Sequence, residues 1–400
     1  MDYLPAHEVK KIQERKLREL IHYCYHHVPY YRKLFKKLKL TPASIGAIED
    51  LKKLPILTKE DIISHHNDFF ADNAPKSELI PRFTSGTTGS SLKIYTTENE
   101  KNIEYLIWPK ETERLKLAHS GRIVVIGMFW GDCIWKWDKY SNHLNINPSF
   151  MTEEYFPLII HEVKKLKALV IYSRPSDLAS LARYCIKSNE ALTFKIAFSF
   201  GEHLLPHYRK SIRKIFSCDV FDTYSQEEGA VRAMECSNHQ GMHLEPRYGI
   251  TEITDNGKII GTPLFKRAFP LLRYDTGDTG KISVEKCSCG MTSPRITSLQ
   301  GREGDVLITK EGRLFHTFGI FNLMNLPQGL IEECQFSQKS KGEVLVSLVL
   351  CDRRFKKKVI RLIKGNLNRH FFLKFSFLNA IPREKSGKLR LIKSDVARVG

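Results

Sequence analysis

Long apolar runs are missing from this chain of 400 residues. No stretch approaches the ~18 residues that a membrane-spanning helix requires, and residues 1–8 lack the basic head and apolar run of a secretory signal peptide. Cysteine is sparse as well: nine are spread along the chain, an odd number that argues against a disulfide-stapled secreted scaffold. We therefore expect a cytoplasmic protein with no transmembrane segment.

Acidic residues are also in short supply. The chain has 44 Asp and Glu against 63 Lys and Arg, which gives a formal net charge of +19. A hydrophobic share of 42% and an aromatic share of 10% are ample for a folded core, so general disorder is excluded. The positive charge is compatible with nucleic acid, an anionic membrane surface or an acidic protein as partner, and it says little about the fold.

Apolar periodicity predicts an α/β core. Spacings of three and four between Leu17 and Val28 indicate an amphipathic helix that Pro29 should break or kink. From about residue 120, apolar runs alternate with helical segments, as in sheets with crossover connections. The predicted strands are 123–129, 168–172, 194–198 and 220–224, with helices starting near 173 and at 205.

A second region begins near residue 301. A strand at 343–350, a basic helix at 353–369 and a strand at 375–381 predict a small α+β domain. About 100 residues suffice for such a domain.

The sharpest local feature is a run of glycines and hydroxyl residues at positions 84–91. Such a loop turns tightly and presents several N–H and O–H donors to one point, a nest for phosphate oxygens. The Gly-Lys-Ser/Thr ending of a nucleotide P-loop is missing, and residues 92–95 predict a strand rather than a helix. Taken alone, a loop of this kind is more often a linker than a binding site.

Four further segments follow the loop in order along the chain. They are YSQEEG at 224–229, RYDTGD at 273–278, GREGD at 301–305 and PREKSGK at 382–388. Together with residues 84–89 they resemble the ordered signature of adenylate-forming enzymes, the superfamily of acyl- and aryl-CoA ligases, peptide-synthetase adenylation domains and luciferases. The chain is most similar to the phenylacetate-CoA ligase branch, in particular to its capsule-polysaccharide-biosynthesis relatives. Residues 28–31, 54–59 and 287–290 match that branch too.

The resemblance implies both an architecture and an activity. It implies an α/β fold with a large N-terminal body of mixed sheets and helices (1–300) and a small mobile α+β C-terminal lid domain (301–400). The implied activity is ATP-dependent conversion of a small aryl, acyl or amino acid to an acyl-adenylate with release of pyrophosphate. Transfer to the thiol of CoA or of a phosphopantetheine carrier protein, or to an amine, would follow. The alternative is a catalytically degenerate ligase-fold protein that binds a polyanion or a protein partner.

The resemblance assigns phosphate, metal and catalytic roles. Glu228 would bind Mg²⁺, a hard cation that takes oxygen ligands. Lys388 would contact the ribose and carboxylate oxygens and offset the charge that develops, so that Lys388, Glu228 and the first loop residue form the catalytic set. The residues that would hold the β- and γ-phosphates of ATP are Thr84, Ser85, Gly86, Thr87, Thr88 and Gly89.

Five residues would hold the nucleoside. Tyr224 would stack on adenine, and the turn with Gly201 and Glu202 would border the base. Asp278 would accept hydrogen bonds from the ribose hydroxyls. Arg302 would lie near the same ribose, at the junction between the domains.

Four residues depart from the family's pattern. Ser225 and Gln226 replace the commoner Gly and Ser or small apolar residue. Glu227 stands where the family has Ser or Thr, which places an extra carboxylate beside Glu228. Gly304 stands at the hinge, where relatives usually carry an acidic residue or Lys, and glycine permits more backbone freedom there.

Four residues have spacings that suit a structural metal. Cys236 and His239 are spaced as Cys-x2-His, and Cys287 and Cys289 as Cys-x-Cys. Three thiols and one imidazole are enough for a closed tetrahedral Zn²⁺ site. Buried reduced cysteines are the alternative.

The acid pocket and the acceptor are the least determined features. Three of the four tryptophans lie within residues 129–137, where the family has its acid-binding pocket. An aromatic wall would suit an aryl or planar acid, and core packing is the alternative. The basic charge favours an anionic acceptor such as CoA or an acidic carrier protein over a specific nucleic acid.

Overall fold

The computed structural model describes residues 1–83, 92–104, 107, 122–129, 132–139, 142–302, 306–316, 330–384 and 388–396. In this part of the chain, no helix combines the length and the apolar character that a membrane crossing needs.

The described α-helices agree with the predicted periodicity. The first ends at His27 and the next begins at Pro29, because proline is tolerated in the first turn of a helix but not in its interior. The α-helices with full bounds are α1 (Ala6–His27), α2 (Pro29–Leu38), α3 (Lys59–Ser64), α4 (Phe156–Leu166), α5 (Pro175–Lys187), α6 (Pro206–Phe216) and α7 (Lys356–Leu367).

Twenty strands lie in the described residues. They are β1 (Ile80–Phe83), β2 (Lys93–Thr96), β3 (Ile123–Ile126), β4 (Trp135–Asp138), β5 (His143–Ile146), β6 (Val170–Ser173), β7 (Ile196–Ser199), β8 (Asp219–Ser225), β9 (Arg232–Glu235), β10 (Met242–Leu244), β11 (Gly249–Ile253), β12 (Lys258–Pro263), β13 (Tyr274–Ser283), β14 (Arg295–Arg302), β15 (Val306–Ile308), β16 (Leu314–His316), β17 (Ile331–Ser340), β18 (Glu343–Leu350), β19 (Phe372–Phe377) and β20 (Ile392–Ser394).

The chain divides into two compact units. The first comprises residues 1–119 and 223–299, and the second comprises residues 120–222 and 300–400. The second unit resumes at residue 300, next to the predicted domain boundary, but it also contains residues 120–222. The division into 1–300 and 301–400 stays a prediction.

The first unit is built on antiparallel strands. Its main sheet has the order β11-β12-β13-β14-β10-β9, with the last residues of β8 paired to β9, and β1 and β2 form a separate antiparallel pair. Helices α1 and α2 pack apolar side chains on the same core, among them Leu17, Tyr31 and Phe35. The predicted strand at 92–95 is confirmed as β2.

The second unit contains the predicted α/β core. Strands β8, β7, β6, β3 and β5 pair in parallel, in that order, and β4 joins the edge antiparallel. Helix α5 connects β6 to β7 and α6 connects β7 to β8, which is the crossover arrangement that the alternating pattern predicts. The side chains of Trp135 and Trp137 pack against this unit's core, as the core-packing alternative proposes, whereas Trp130 lies outside the described residues.

The last part of the second unit forms its own sheet in the order β19-β18-β17-β20, with α7 packed on it through Val359, Ile363 and Leu367. The predicted α/β class with a separate C-terminal sheet domain is thus confirmed. Two elements have bounds that differ from the prediction. The helix runs from Lys356 to Leu367 instead of 353–369, and residues 353–355 before it form a 3₁₀ turn in which the Asp352 side chain accepts the N–H of Arg354. The last predicted strand, 375–381, is β19 at Phe372–Phe377, since its pairing with β18 runs from Glu343 to Leu348.

Candidate functional site

Two predicted nucleoside-binding residues meet in the first unit. Tyr224 lies near the end of β8 and Asp278 in the middle of β13, and the Tyr224 hydroxyl donates to Asp278 Oδ2 at 2.8 Å. Both side chains are buried. Burial and the charge of Asp278 raise the pKa of Tyr224, so its hydroxyl keeps its proton and stays a donor. Asp278 is therefore held as a buried acceptor at a fixed place.

Glu228 lies in the turn after β8 and is held at two points. The Tyr274 hydroxyl donates to Glu228 Oε1 at 3.0 Å, and Lys266 Nζ donates to the Glu228 carbonyl at 2.8 Å. The next residue, Gly229, has φ +60°, and a Cβ there would overlap Lys266 Nζ. The turn thus requires glycine after Glu228, both for its backbone conformation and for the close approach of the lysine.

A buried charge network supports this turn, and sequence reasoning missed it. Lys266 is 1% exposed and its Nζ lies 3.6 Å from Glu104 Oε1. Arg82 pairs with Glu104 Oε2 at 2.6 Å, and the Tyr248 hydroxyl donates to Glu104 at 3.2 Å. Arg82 also donates to the carbonyl of Glu227 at 3.5 Å. No motif marks these residues, because they come together only through the fold.

Burial and the neighbouring charges shift the pKa values of the residues in this network. Burial alone would raise the pKa of Glu104, but the charges of Lys266 and Arg82 and the hydrogen bonds outweigh it, so the pKa is lowered. Burial lowers the pKa of Lys266. Glu104 is therefore the anion that balances two buried or half-buried cations.

Three other predicted residues meet in the second unit. Gly201 has φ +73°, and a Cβ there would lie 3.5 Å from Lys388 Cε. Glu202 Oε1 accepts the N–H of Leu389 at 2.8 Å, and its Oε2 accepts the N–H of Ser176 at 3.3 Å. Lys388 thus lies directly against the turn formed by Gly201 and Glu202.

The remaining predicted residues are not all described. Arg302 is the last residue of β14, and Gly304 lies outside the described residues. The residues of the predicted phosphate loop also lie outside the described residues. They are Thr84, Ser85, Gly86, Thr87, Thr88 and Gly89.

A cluster of metal-ligand type lies in the first unit. Ligand atoms of Cys236, His243, Cys287 and Cys289 are all within 4.8 Å of one another. Cys236 and Cys287 approach to 3.7 Å between their sulfurs, and Cys289 Sγ lies 3.4 Å from His243 Nε2. His243 Nδ1 lies 3.0 Å from the carbonyl of Ser293, an arrangement that fixes the ring and its tautomer in metal sites.

The structure corrects the histidine of this cluster. His239 is in the turn after β9, with φ +50°, and its Nδ1 lies 3.1 Å from Glu235 Oε2. The pairing of β10 with β9 and β14 brings His243 to the cysteines instead. Spacing along the sequence indicates His239, which is nearer to Cys236. The pairing of the strands brings His243, four residues later, to the cysteines.

Sequence relatives match the chain over most of its length. Residues 307–395 match the CapK C-terminal domain. The chain is 25% identical to Protein CapK of Staphylococcus aureus over 410 residues, covering 98% of this chain and 90% of that protein. It is 26% identical to Phenylacetate-coenzyme A ligase of Thermus thermophilus over 445 residues, covering 98% of each.

Solved structures share the fold. The chain superposes on 2-hydroxyisobutyryl-CoA ligase with 2-HIB-AMP in the postadenylation state with a TM-score of 0.82 at 18% identity, covering 98% of this chain and 91% of that one. Anthranilate CoA ligase AuaEII with anthranoyl-AMP gives 0.55 at 12% identity, covering 94% and 79%. The fold is that of the adenylate-forming superfamily. CapK and the phenylacetate-CoA ligases are homologues of the chain, so the predicted resemblance is confirmed.

Replacing Glu104 tests the buried network. Glu104→Gln leaves Lys266 and Arg82 without their shared counter-charge, and removal of one partner of a buried ion pair costs about 3–5 kcal/mol. We expect the free energy of unfolding to fall by about that amount in urea denaturation at pH 7. The matched control is Glu98→Gln, which removes an exposed carboxylate paired with Lys101 and should cost less than about 1 kcal/mol.

The same variant has a predicted pH dependence. Because the pKa of Glu104 is lowered in the folded protein, its stabilising effect is present above the unfolded-state pKa of about 4.3 and is lost as the pH falls. The stability difference between wild type and Glu104→Gln should therefore shrink below about pH 4. A difference that stays constant at acid pH would contradict this assignment.

Proposed function

We propose that the protein is an AMP-forming acid–CoA ligase. It would activate a small carboxylic acid with ATP to an acyl-adenylate and then transfer the acyl group to a thiol. The observation that carries the proposal is that two motif segments, 224–229 and 273–278, are hydrogen-bonded to each other. Two hydroxyl–carboxylate hydrogen bonds join them, Tyr224 to Asp278 and Tyr274 to Glu228, so the residues with assigned chemistry are buried and fixed before any substrate binds.

The residues of the chain would act mainly by charge and orientation. A carboxylate oxygen of the acid attacks the α-phosphorus of ATP, the bond from that phosphorus to the bridging oxygen breaks, and pyrophosphate leaves. Asp278 would hold the ribose hydroxyls, and the Lys388 ammonium would neutralise the negative charge where the two anions meet. The loop residues that would hold the β- and γ-phosphates are those at 84–89. In the second step a thiol sulfur attacks the acyl carbon and AMP leaves.

Glu228 fits the role of a Mg²⁺ ligand. Its carboxylate is buried and fixed by Tyr274, and a carboxylate oxygen is a ligand type that Mg²⁺ prefers. Bound Mg²⁺ would neutralise phosphate charge. Lys266 and Tyr274 would keep Glu228 in place for this.

CoA is the proposed acceptor. The names of the relatives support it, since the relative from Thermus thermophilus is a phenylacetate-coenzyme A ligase. The net charge of +19 also favours an anionic acceptor. Similarity to Protein CapK supports a link to capsule polysaccharide biosynthesis, for which an amine acceptor or a carrier protein is the alternative. A cytoplasmic location is proposed with this activity.

We also propose a structural Zn²⁺ site formed by Cys236, His243, Cys287 and Cys289. Three thiolates and one imidazole are the donor set of closed tetrahedral zinc sites. The site would join the β9–β10 hairpin to the turn at 287–290. Its chemistry would be structural, with no position for a substrate.

Acid-dependent ATP–pyrophosphate exchange tests the ligase proposal. We expect exchange with at least one acid of an aryl and short-chain aliphatic panel, and AMP and acyl-CoA when CoA is added. Lys388→Ala should lower kcat by roughly a hundredfold, since it removes a charge that acts in the transition state. Asp278→Asn should raise the KM for ATP by roughly tenfold or more, through loss of hydrogen bonds to a charged group.

Lys374→Ala is the control, because Lys374 is an exposed lysine of β19 in the same unit, and it should leave exchange unchanged. If no acid stimulates exchange, or if Lys388→Ala equals wild type, the ligase proposal is wrong. Salt-dependent nucleic-acid binding without such exchange would favour the polyanion-binding alternative.

Metal analysis of the purified protein tests the zinc proposal. We expect one zinc per chain, lost in His243→Ala and in Cys287→Ser because each removes one of four ligands. His239→Ala is the matched control and should retain zinc. Substoichiometric zinc in the wild type, or loss of zinc in His239→Ala, would refute the ligand set.

A further inference from the structure

The Glu202 carboxylate, which the resemblance assigns a place beside adenine, also binds two backbone N–H groups of the protein. Both oxygens of its carboxylate accept backbone N–H groups of the protein, at 2.8 Å from Leu389 and 3.3 Å from Ser176. These two N–H groups lie more than two hundred residues apart in the sequence. One carboxylate therefore joins two distant segments of the second unit.

The Ser176 end of this link is the start of a helix. Ser176 is in the first turn of α5, where N–H groups have no partner within the helix and the macrodipole favours an anion. The N-cap residue, Arg174, makes no side-chain cap and instead pairs with Asp177 at 2.8 Å. Glu202 thus supplies from another segment the acceptor that this helix end needs.

The Leu389 end of the link is the peptide group that follows Lys388. The Lys388 carbonyl accepts the N–H of Glu384 at 3.0 Å. The residues after it are held by β17, beginning with the bond from Gln335 Nε2 to the Arg390 carbonyl at 2.7 Å. The Leu389 N–H is held by Glu202, from the α/β core of the unit. Glu202 therefore fixes the backbone at the residue next to Lys388.

We propose that Glu202 is a positioning residue for Lys388. By joining the Leu389 N–H to the start of α5, it holds Lys388 against the Gly201 turn in the arrangement used for adenylate formation. Gly201 suits this turn because its φ of +73° is a conformation that glycine adopts without strain, and the position a Cβ would take lies 3.5 Å from Lys388 Cε. The inference rests on the proposed function, because it assumes that Lys388 acts in the adenylation step.

Two variants of Glu202 test the inference. Glu202→Ala removes both acceptors, and Glu202→Gln keeps the size but replaces one acceptor by a donor. We expect kcat for acid-dependent ATP–pyrophosphate exchange to fall roughly tenfold to a hundredfold in each, the range for loss of a hydrogen bond to a charged group. The KM for ATP should change less than about threefold, since both carboxylate oxygens of Glu202 bind backbone N–H groups and only the backbone of its turn would then border the base.

A second readout does not depend on activity. Hydrogen–deuterium exchange of the peptide that contains residues 384–391 should be faster in both variants than in the wild type, because the Leu389 N–H loses its acceptor. Transfer of an acyl group from synthetic acyl-adenylate to CoA should keep its wild-type rate. That reaction bypasses the step in which Lys388 neutralises charge.

Glu153→Gln is the matched control. It removes the charge of an exposed carboxylate of the same unit, which pairs with Lys187 at the end of α5, without touching the Leu389 N–H or the first turn of that helix. It should leave both the kcat for exchange and the hydrogen–deuterium exchange at 384–391 unchanged.

Three outcomes would overturn the inference. They are unchanged hydrogen–deuterium exchange at 384–391 in Glu202→Ala, a raised KM for ATP at unchanged kcat, and an equal loss of kcat in Glu153→Gln. A wild type that is inactive with every acid would refute the proposed function and with it the catalytic part of the inference. Faster hydrogen–deuterium exchange at 384–391 in the Glu202 variants would then still support the structural part of the inference, namely that Glu202 holds the Leu389 N–H.

Discussion

The cost of burying a carboxylate is the constraint on which the candidate site depends. A carboxylate that is buried in the interior loses its hydrating water, so it needs hydrogen-bond donors or a positive charge in its place. Asp278 has the hydroxyl of Tyr224, and Glu228 has the hydroxyl of Tyr274. Each of these bonds runs from one motif segment to the other. The need to satisfy two acids therefore also fixes how residues 224–229 pack on residues 273–278, and the same contacts would serve both the fold and the proposed chemistry.

The constraint extends to the cations around Glu228. A buried ammonium such as that of Lys266 needs a counter-charge, and Glu104 supplies it while sharing its other oxygen with Arg82. Lys266 also donates to the carbonyl of Glu228, and Arg82 to that of Glu227. Arg82 lies in β1, two residues before the predicted phosphate loop begins. Charge balance thus connects the strand that leads into that loop with the turn that holds the proposed metal ligand.

Features that depend on neighbouring residues could be predicted from the sequence, and features that depend on distant residues could not. The parallel strands of the second unit were predictable because a strand buried on both faces is a short apolar run, and the start of α2 was predictable from Pro29. The place of His243 in the cysteine cluster and the bond from Leu389 to Glu202 were not predictable, because strand pairing and distant chain segments bring these partners together. Motif order selects Asp278, Glu228 and Lys388 as candidates, but it carries no information on the groups that hold them.

The strength of the bond between Glu202 and Leu389 suits the proposal that Lys388 acts in only one step of the reaction. The link from Glu202 to the Lys388 segment is a single N–H bond to a carboxylate, roughly 1.5–3 kcal/mol. Glu202 is only partly buried, so water could take the place of the Leu389 N–H, and the Ser176 N–H would still satisfy the other oxygen. Breaking the tie would therefore cost about one hydrogen bond and would not leave an uncompensated charge in the interior. A link through a buried ion pair, like that of Glu104, would hold Lys388 more firmly and would oppose the movement of the C-terminal lid domain that the family resemblance implies.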